Sequence, residues 1–303
     1  MVHFTDTLRN IVKKTYTVFF DVDDVLVDAS RSFPQSVAKA ARRYMEEQNL
    51  DVENRLLEKV KTIKERPGFN DDWDTAEALT LYLLQGRGPS PRILSQFLDD
   101  LGSNGGRQAL KAWLENQSQE QKDWITARYD SERVRQLAMA FYGGPSYCKQ
   151  LFGFDAYDFV GEGTIIEESL LVDPERLENL RVPWFIYTGR SCLEMEPLFE
   201  RMNLTKPWQL FCAGSEGPIK PDPSPLKEMV KKSNAQGVIL VGDNLDDRET
   251  VLRFQLEYSE IASAFVRVEG GGAPENAEDS SVENVNQFLD LILKEGCTCE
   301  KRP

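Results

Sequence analysis

The spacing of hydrophobic and polar positions changes period twice along the chain. Near the start, Thr17-Val18-Phe19-Phe20 is an unbroken run of β-branched and aromatic residues that halts at Asp21, Asp23, Asp24 and Asp28. A continuous apolar run of this kind predicts a strand buried on both faces. No core absorbs four unpaired carboxylates, so they mark its end. Ahead of it, Phe4, Leu8, Ile11 and Val12 stand at helical spacing and predict a short packing helix. Beyond Asp28 the apolar spacing becomes three and four, which predicts helices over 37–45, 53–63, 75–84, 91–101, 108–116 and 131–141. Pro67-Gly68, the Gly/Pro/Ser stretches 86–91 and 102–106, and Gly143-Gly144-Pro145 separate them. Strand-like runs return at 182–187, 208–212, 237–241 and 264–268, with helical patterns at 193–202, 224–233 and 248–255 between them.

Alternation of strand and helix in the second half predicts an α/β fold with a Rossmann-like, doubly wound parallel sheet. The strand at Thr17 belongs to that sheet, which makes the helical block an insertion. The expected division is a core from residues 1–28 and 169–303 and an all-helical domain over 29–168. In open parallel sheets the carboxyl ends of the strands form the ligand crevice. Three strands run into polar residues there: the first into Asp21 and Asp23, another into Thr188-Gly189-Arg190, a third into Gly242-Asp243 with Asp246 and Asp247 following. Lys220, in Lys220-Pro221-Asp222-Pro223, adds a cation. Asp21 and Asp23 are two apart and point the same way in extended chain, so their repulsion calls for a cation or a shared proton. A hard divalent ion is the natural partner.

Composition narrows the choice of chemistry. Lys and Arg total 36 against 50 Asp and Glu, a formal net charge of −14, which argues against nucleic acid or an anionic membrane as partner. No run of about 18 apolar residues is present, so no membrane span is expected. The single histidine, His3, removes Ser-His-Asp and Cys-His catalysis and a histidine-built zinc site. Five scattered cysteines suit a reducing, cytoplasmic setting, and Cys297-Thr298-Cys299 reads as a frayed tail. Oligomeric state is not legible in composition.

On these residues the chain resembles the haloacid dehalogenase superfamily, whose four motifs match in order. Asp21-Val22-Asp23-Asp24-Val25-Leu26 resembles the first, Thr188 in Ile186-Tyr187-Thr188-Gly189-Arg190 the second, Lys220 the third, and Gly242-Asp243 with Asp247 the fourth. Asp24 stands where many relatives have Gly. The insertion resembles the helical C1 cap of subfamily I, of the kind shared with phosphoglycolate-phosphatase-like proteins. Within it, Gly68-Phe69-Asn70-Asp71-Asp72-Trp73-Asp74 resembles a cap signature of a small clade of such hydrolases.

The resemblance implies a Mg2+-dependent phosphatase of a small phosphorylated metabolite. Asp21 would be the nucleophile and Asp23 the general acid and base, with Thr188 and Lys220 stabilising the phosphoryl group. Asp21, Asp243 and the carbonyl of Asp23 would hold the metal, supported by Asp247. Gly189, Arg190, Ser30, Arg31, Asn70, Asp72 and Trp73 are the candidate substrate contacts. Alternatives within the same fold are a dehalogenase, a phosphonatase or a phosphomutase, and outside catalysis a binding protein on this scaffold. Each motif taken alone also has a plain reading: a helix cap at Asp243, a turn at Thr188-Gly189, a solvated lysine at 220. Asp74 could be a helix N-cap and Trp73 its staple.

Overall fold

The computed structural model describes residues 2–52, 54–66, 68–69, 71–102, 105–201, 203–204, 206–212, 218–268 and 279–295. In chain order the elements are α1 (Asp6–Ile11), β1 (Tyr16–Phe20), β2 (Val27–Asp28), α2 (Phe33–Glu47), α3 (Leu56–Lys64), α4 (Asp72–Gln85), α5 (Leu94–Asp100), α6 (Gly106–Glu115), α7 (Gln119–Thr126) and α8 (Ser131–Phe152). They continue as β3 (Ser169–Leu170), α9 (Pro174–Glu178), β4 (Trp184–Thr188), α10 (Cys192–Arg201), β5 (Gln209–Cys212), α11 (Ser224–Ser233), β6 (Gly237–Gly242), α12 (Leu245–Glu257), β7 (Ala262–Val268), β8 (Ser280–Val282) and α13 (Val285–Glu295). They fall into two compact units, residues 1–29 with 169–303, and residues 30–168.

The first unit is built on a parallel sheet of order β5-β4-β1-β6-β7-β8. β1 is central, and all five of its residues are buried, as its uninterrupted apolar run requires. Alternate residues feed two cores. Val18 and Phe20 join Trp184, Ile186, Ile239 and Val241 against Leu8 of α1, Met195 and Leu198 of α10, and Phe288 of α13. Phe19 joins Phe185, Tyr187, Val238 and Leu240 against Leu226 and Met229 of α11 and Val251 and Phe254 of α12. The sheet is therefore covered on both faces, and its polar groups emerge at the strand ends. β8 and α13 extend the expected fold: three residues are too short a run to register as a strand in the pattern. β2 and β3 form a separate two-residue antiparallel ladder.

The second unit is helical, with α2, α4 and α8 supplying Val37, Tyr44, Leu79, Leu84, Val134 and Leu137 to one core. α8 runs past the expected stop at residue 141. Gly144, at φ 58°, kinks it, and Pro145 restarts the helix where its missing N–H costs nothing. α7 was not legible, because only Gln121 and Ile125 of its eight residues are buried. No described helix is long and apolar enough to cross a membrane.

Candidate active site

The end of β1 sets the geometry. Asp21 is 4% exposed, held by a hydrogen bond from its own N–H to the Val241 carbonyl (2.9 Å), while the Val22 amide donates to Asp21 Oδ1 (2.8 Å). The chain then folds back tightly: the amides of Leu26 and Val27 donate to the Val22 carbonyl, and that of Asp24 to Val27. Asp24 takes φ 57°, a left-handed conformation that aspartate tolerates and glycine prefers.

From β6 come Gly242, Asp243 and Asn244. Asn244 caps α12, its Oδ1 accepting from the amides of Asp246 and Asp247, and with Asp247 it forms a capping box. That box turns the fully buried Asp247 carboxylate back against Gly242, where an added Cβ would clash with it. Asp247 Oδ2 accepts from the amides of Asp243 (3.3 Å) and Asn244 (3.4 Å), and its Oδ1 accepts from Lys220 Nζ (2.6 Å). Lys220 Nζ also lies 2.8 Å from Asp21 Oδ1. One ligand oxygen from each of Asp21, Asp243 and Asp247 lies within 4.8 Å of the others.

The buried Asp21 and Asp247 and the half-buried Asp243 beside one ammonium leave an excess of negative charge, and the acidities register it. Burial, opposed by Lys220 and reinforced by Asp247, Asp243 and Asp23, holds Asp21 well above the usual carboxylate range. Burial and then the charges of Asp247 and Asp24 push Asp243 up to about 7. Burial alone would lower the Lys220 ammonium, but Asp21 and Asp247 outweigh it and raise it. An all-oxygen donor set with surplus charge fits a hard cation such as Mg2+. Asp247 already spends its oxygens on Lys220 and two amides, so Asp21 and Asp243 are the better-suited ligands.

At the end of β4, Thr188 is 1% exposed and its Oγ1 accepts from the Arg190 amide (3.1 Å), which leaves its own O–H to donate. Gly189 is exposed, with open space where a Cβ would stand. Arg190 is turned inward. Its side chain is 1% exposed and its guanidinium forks onto Asp23, Nε to Oδ1 at 3.0 Å and to Oδ2 at 3.2 Å. Cys192 and Cys212, two of the cysteines whose scatter suited a reducing setting, form a disulfide, because β5 ends in register with Thr188 and brings Cys212 to the start of α10. A sequence separation of 20 hides that pairing from a sequence reading.

Among the described candidate contacts, Arg31, Asp72 and Trp73 have partners within the helical unit. Asp71, not Asp74, caps α4, its Oδ1 accepting from the amides of Trp73 (2.7 Å) and Asp74 (3.1 Å). Asp74 Oδ1 and Glu77 Oε1 accept from Arg135 at 2.6 and 2.8 Å, and Asp72 pairs with Lys64 at 2.8 Å. Trp73 packs edge-on to Phe33, Tyr142 and Phe152. The described residues of the acidic loop start α4 and form ion pairs. Ser30 is exposed, and Arg31 forms an exposed ion pair with Glu167 (3.1 Å). Asn70, Cys297 and Cys299 lie outside the described residues.

No protein-family model matches the sequence, and no functionally curated protein matches it. Solved structures do. Phosphatase Tt82 from Thermococcus thioreducens is similar with a TM-score of 0.70 over 92% of this chain and 100% of that one, at 23% identity. The core has the haloacid dehalogenase fold. A candidate phosphoglycolate phosphatase from Lactobacillus delbrueckii subsp. bulgaricus is similar at a TM-score of 0.51, 14% identity, over 92% of this chain and 98% of that one. Within the haloacid dehalogenase fold, residues that sequence reading passed over gain a place. Asn244 reaches toward Asp21 Oδ2 (3.5 Å) and Asp243 Oδ1 (3.2 Å), and the buried Glu194 accepts from the amide and hydroxyl of Ser191 (2.8 and 2.7 Å). The Asn-x-x-Asp spacing of a capping box was the available signal for the first.

Proposed function

We propose that the protein is a Mg2+-dependent phosphatase that hydrolyses a small phosphorylated metabolite through an aspartyl-phosphate on Asp21. One observation carries the reading: Asp21, Asp243 and Asp247 converge within 4.8 Å beside the buried Lys220 ammonium, at the carboxyl ends of parallel strands. That is a site short of positive charge, suited to a dication and a phosphoryl group together.

Asp21, Asp243 and the backbone carbonyl of Asp23 would hold the metal. Bound there, magnesium supplies neutralising charge that lets an anionic carboxylate approach an anionic phosphoryl group. The chain's residues do the rest. Asp21 Oδ attacks phosphorus, and the bond to the leaving oxygen breaks. Asp23 gives that oxygen a proton, then removes one from the water that hydrolyses the aspartyl-phosphate. Lys220 offsets charge on nucleophile and phosphoryl oxygens, held in place by Asp247, and the Thr188 hydroxyl donates to a phosphoryl oxygen. The helical unit, inserted between the first two motifs, is the proposed cap.

The test is turnover of para-nitrophenyl phosphate by the purified protein. Mg2+ should switch the activity on, chelation should abolish it, and Asp21→Asn should lower it by several orders of magnitude. Turnover indifferent to chelation or to Asp21→Asn would defeat the proposal.

A further inference from the structure

Arg190 stands in the second motif, where a cation would ordinarily be read as a phosphate contact. Its geometry argues otherwise. Nε donates to both oxygens of Asp23 and a second guanidinium nitrogen to Oδ1. The Arg190 side chain is 1% exposed, whereas Asp23 keeps 35% of its side chain exposed. The cation is thus turned inward and the carboxylate outward. A buried, forked guanidinium is costly to desolvate and stays put only when the surroundings fix it.

The surroundings do so from three directions. Arg190's own amide donates to Thr188 Oγ1 (3.1 Å). Ser191, next in the chain, donates through amide and hydroxyl to Glu194, which is 8% exposed. Cys192 is bonded to Cys212 at the end of β5. The turn 188–192 is therefore a rigid bracket carrying one guanidinium. Asp23 itself sits in a turn whose next residue is left-handed, a place where an unsupported carboxylate has several rotamers to choose from.

We propose that Arg190 is the positioning residue for Asp23, fixing the plane of the carboxylate and leaving Oδ2 as the oxygen that handles the proton. Oδ1 accepts from two guanidinium nitrogens and Oδ2 from Nε alone, at 3.2 Å. The inference rests on the phosphatase reading of Asp23. In the first step the Asp23 proton passes from Oδ2 to the leaving oxygen as that oxygen keeps the electron pair of its bond to phosphorus. In the second the attacking water returns a proton to Asp23 as its oxygen bonds phosphorus and the aspartyl oxygen departs. Proton transfer by a placed group contributes on the order of 10²–10⁴ in rate, and misplacement forfeits part of it.

The consequence is a dependence on the leaving group. kcat/KM reports only steps up to release of the alcohol, and a para-nitrophenolate leaves without help whereas a para-methoxyphenolate needs the proton. The experiment compares wild type, Arg190→Lys and Arg190→Gln, with Mg2+ present, across phenyl phosphates graded between these two, and adds inhibition by inorganic phosphate. Arg190→Lys keeps the charge but not the fork, and supplies a folded variant should the neutral one fail.

The proposal expects kcat/KM to fall by roughly 10–100-fold for the poorest leaving group and by only a few-fold for the best. Phosphate inhibition should stay unchanged. Arg190→Gln should add no further fall in an Asp23→Asn background, because both act through one group. An equal fall for every ester with weaker phosphate inhibition would make Arg190 a phosphate contact and overturn the proposal. An equal fall with unchanged inhibition would reduce it to loop support and overturn it too. No turnover by the wild type would overturn the phosphatase reading itself, a result distinct from either.

Discussion

Removing the Lys220 ammonium is the sharpest test of how the carboxylate cluster is held. The Lys220 side chain is 8% exposed and bonds Asp21 Oδ1 at 2.8 Å and Asp247 Oδ1 at 2.6 Å, partners that are 6% and 0% exposed. Lys220→Met conserves length and apolar volume while leaving two buried carboxylates without their cation. Breaking a buried pair from one side costs about 3–5 kcal/mol. At roughly 2–4 °C per kcal/mol for a unit of this size, Tm should fall by roughly 6–20 °C. The loss should depend on pH. Asp21 is already raised by burial, and Lys220 is what opposes that rise. Without Lys220 it rises further, so the folded variant binds a proton that the unfolded chain, with its carboxylates near pH 4, has released. Its extra stability is present below about pH 4 and is lost as pH climbs through the raised value. The deficit relative to wild type should therefore be smallest in acid and largest at neutrality. Urea and thermal unfolding followed by circular dichroism on metal-free protein would read both. A deficit below about 1 kcal/mol at neutral pH, or one that does not shrink on acidification, would refute the reasoning.

Three further outcomes follow from the same contacts. Metal-free wild type should lose stability as pH rises from about 4 to about 7, because Asp243 holds its proton up to about 7 against 3.8 when unfolded. Saturating Mg2+, at about 100 times its Kd, should restore about 2.7 kcal/mol, and a thermal-shift series that slopes the other way would contradict this. In the helical unit, Arg135→Ala should cost about 1.5–3 kcal/mol by removing charged hydrogen bonds to Asp74 and Glu77 while Tyr129, Ser131 and Arg107 remain, and the part-exposed Asp72→Ala less than about 1 kcal/mol, as urea titrations would tell. Cys148, buried and with its thiol pushed up to about 11 by burial, should resist iodoacetamide until the protein unfolds, which peptide mapping would check.

Much of the architecture was legible because it rests on burial. β1, buried on both faces, could only be written as an apolar run, and Asp21 could only end it. The same holds for β4, β6 and β7 and the helices between them. β8 and α9 were too short to show a period, and α7 too exposed. The candidate site was legible as a list of residue types at strand ends, but not as a set of partners. Nothing in Thr188-Gly189-Arg190 says that the guanidinium turns inward to Asp23, since that is decided by where β1 and β4 lie side by side. The partners of Asp72 and Trp73 were hidden for a related reason. A polar, aromatic loop looks like a binding surface until Lys64, Arg135, Phe33 and Tyr142 arrive from elsewhere in the chain to occupy it. Cys192 and Cys212 are likewise joined by register, not by spacing.

The measurement that bears most directly on the proposed chemistry is the identity of the covalent intermediate. Protein loaded with Mg2+ would be mixed rapidly with para-nitrophenyl phosphate, quenched in acid within one turnover, and its peptides examined by mass spectrometry. One phosphoryl group should appear on the peptide carrying Asp21, should be labile to hydroxylamine as an acyl phosphate is, and should be absent from Asp21→Asn. A phosphoryl group on any other residue, or phosphate release that continues in Asp21→Asn with no phosphorylated peptide, would contradict it.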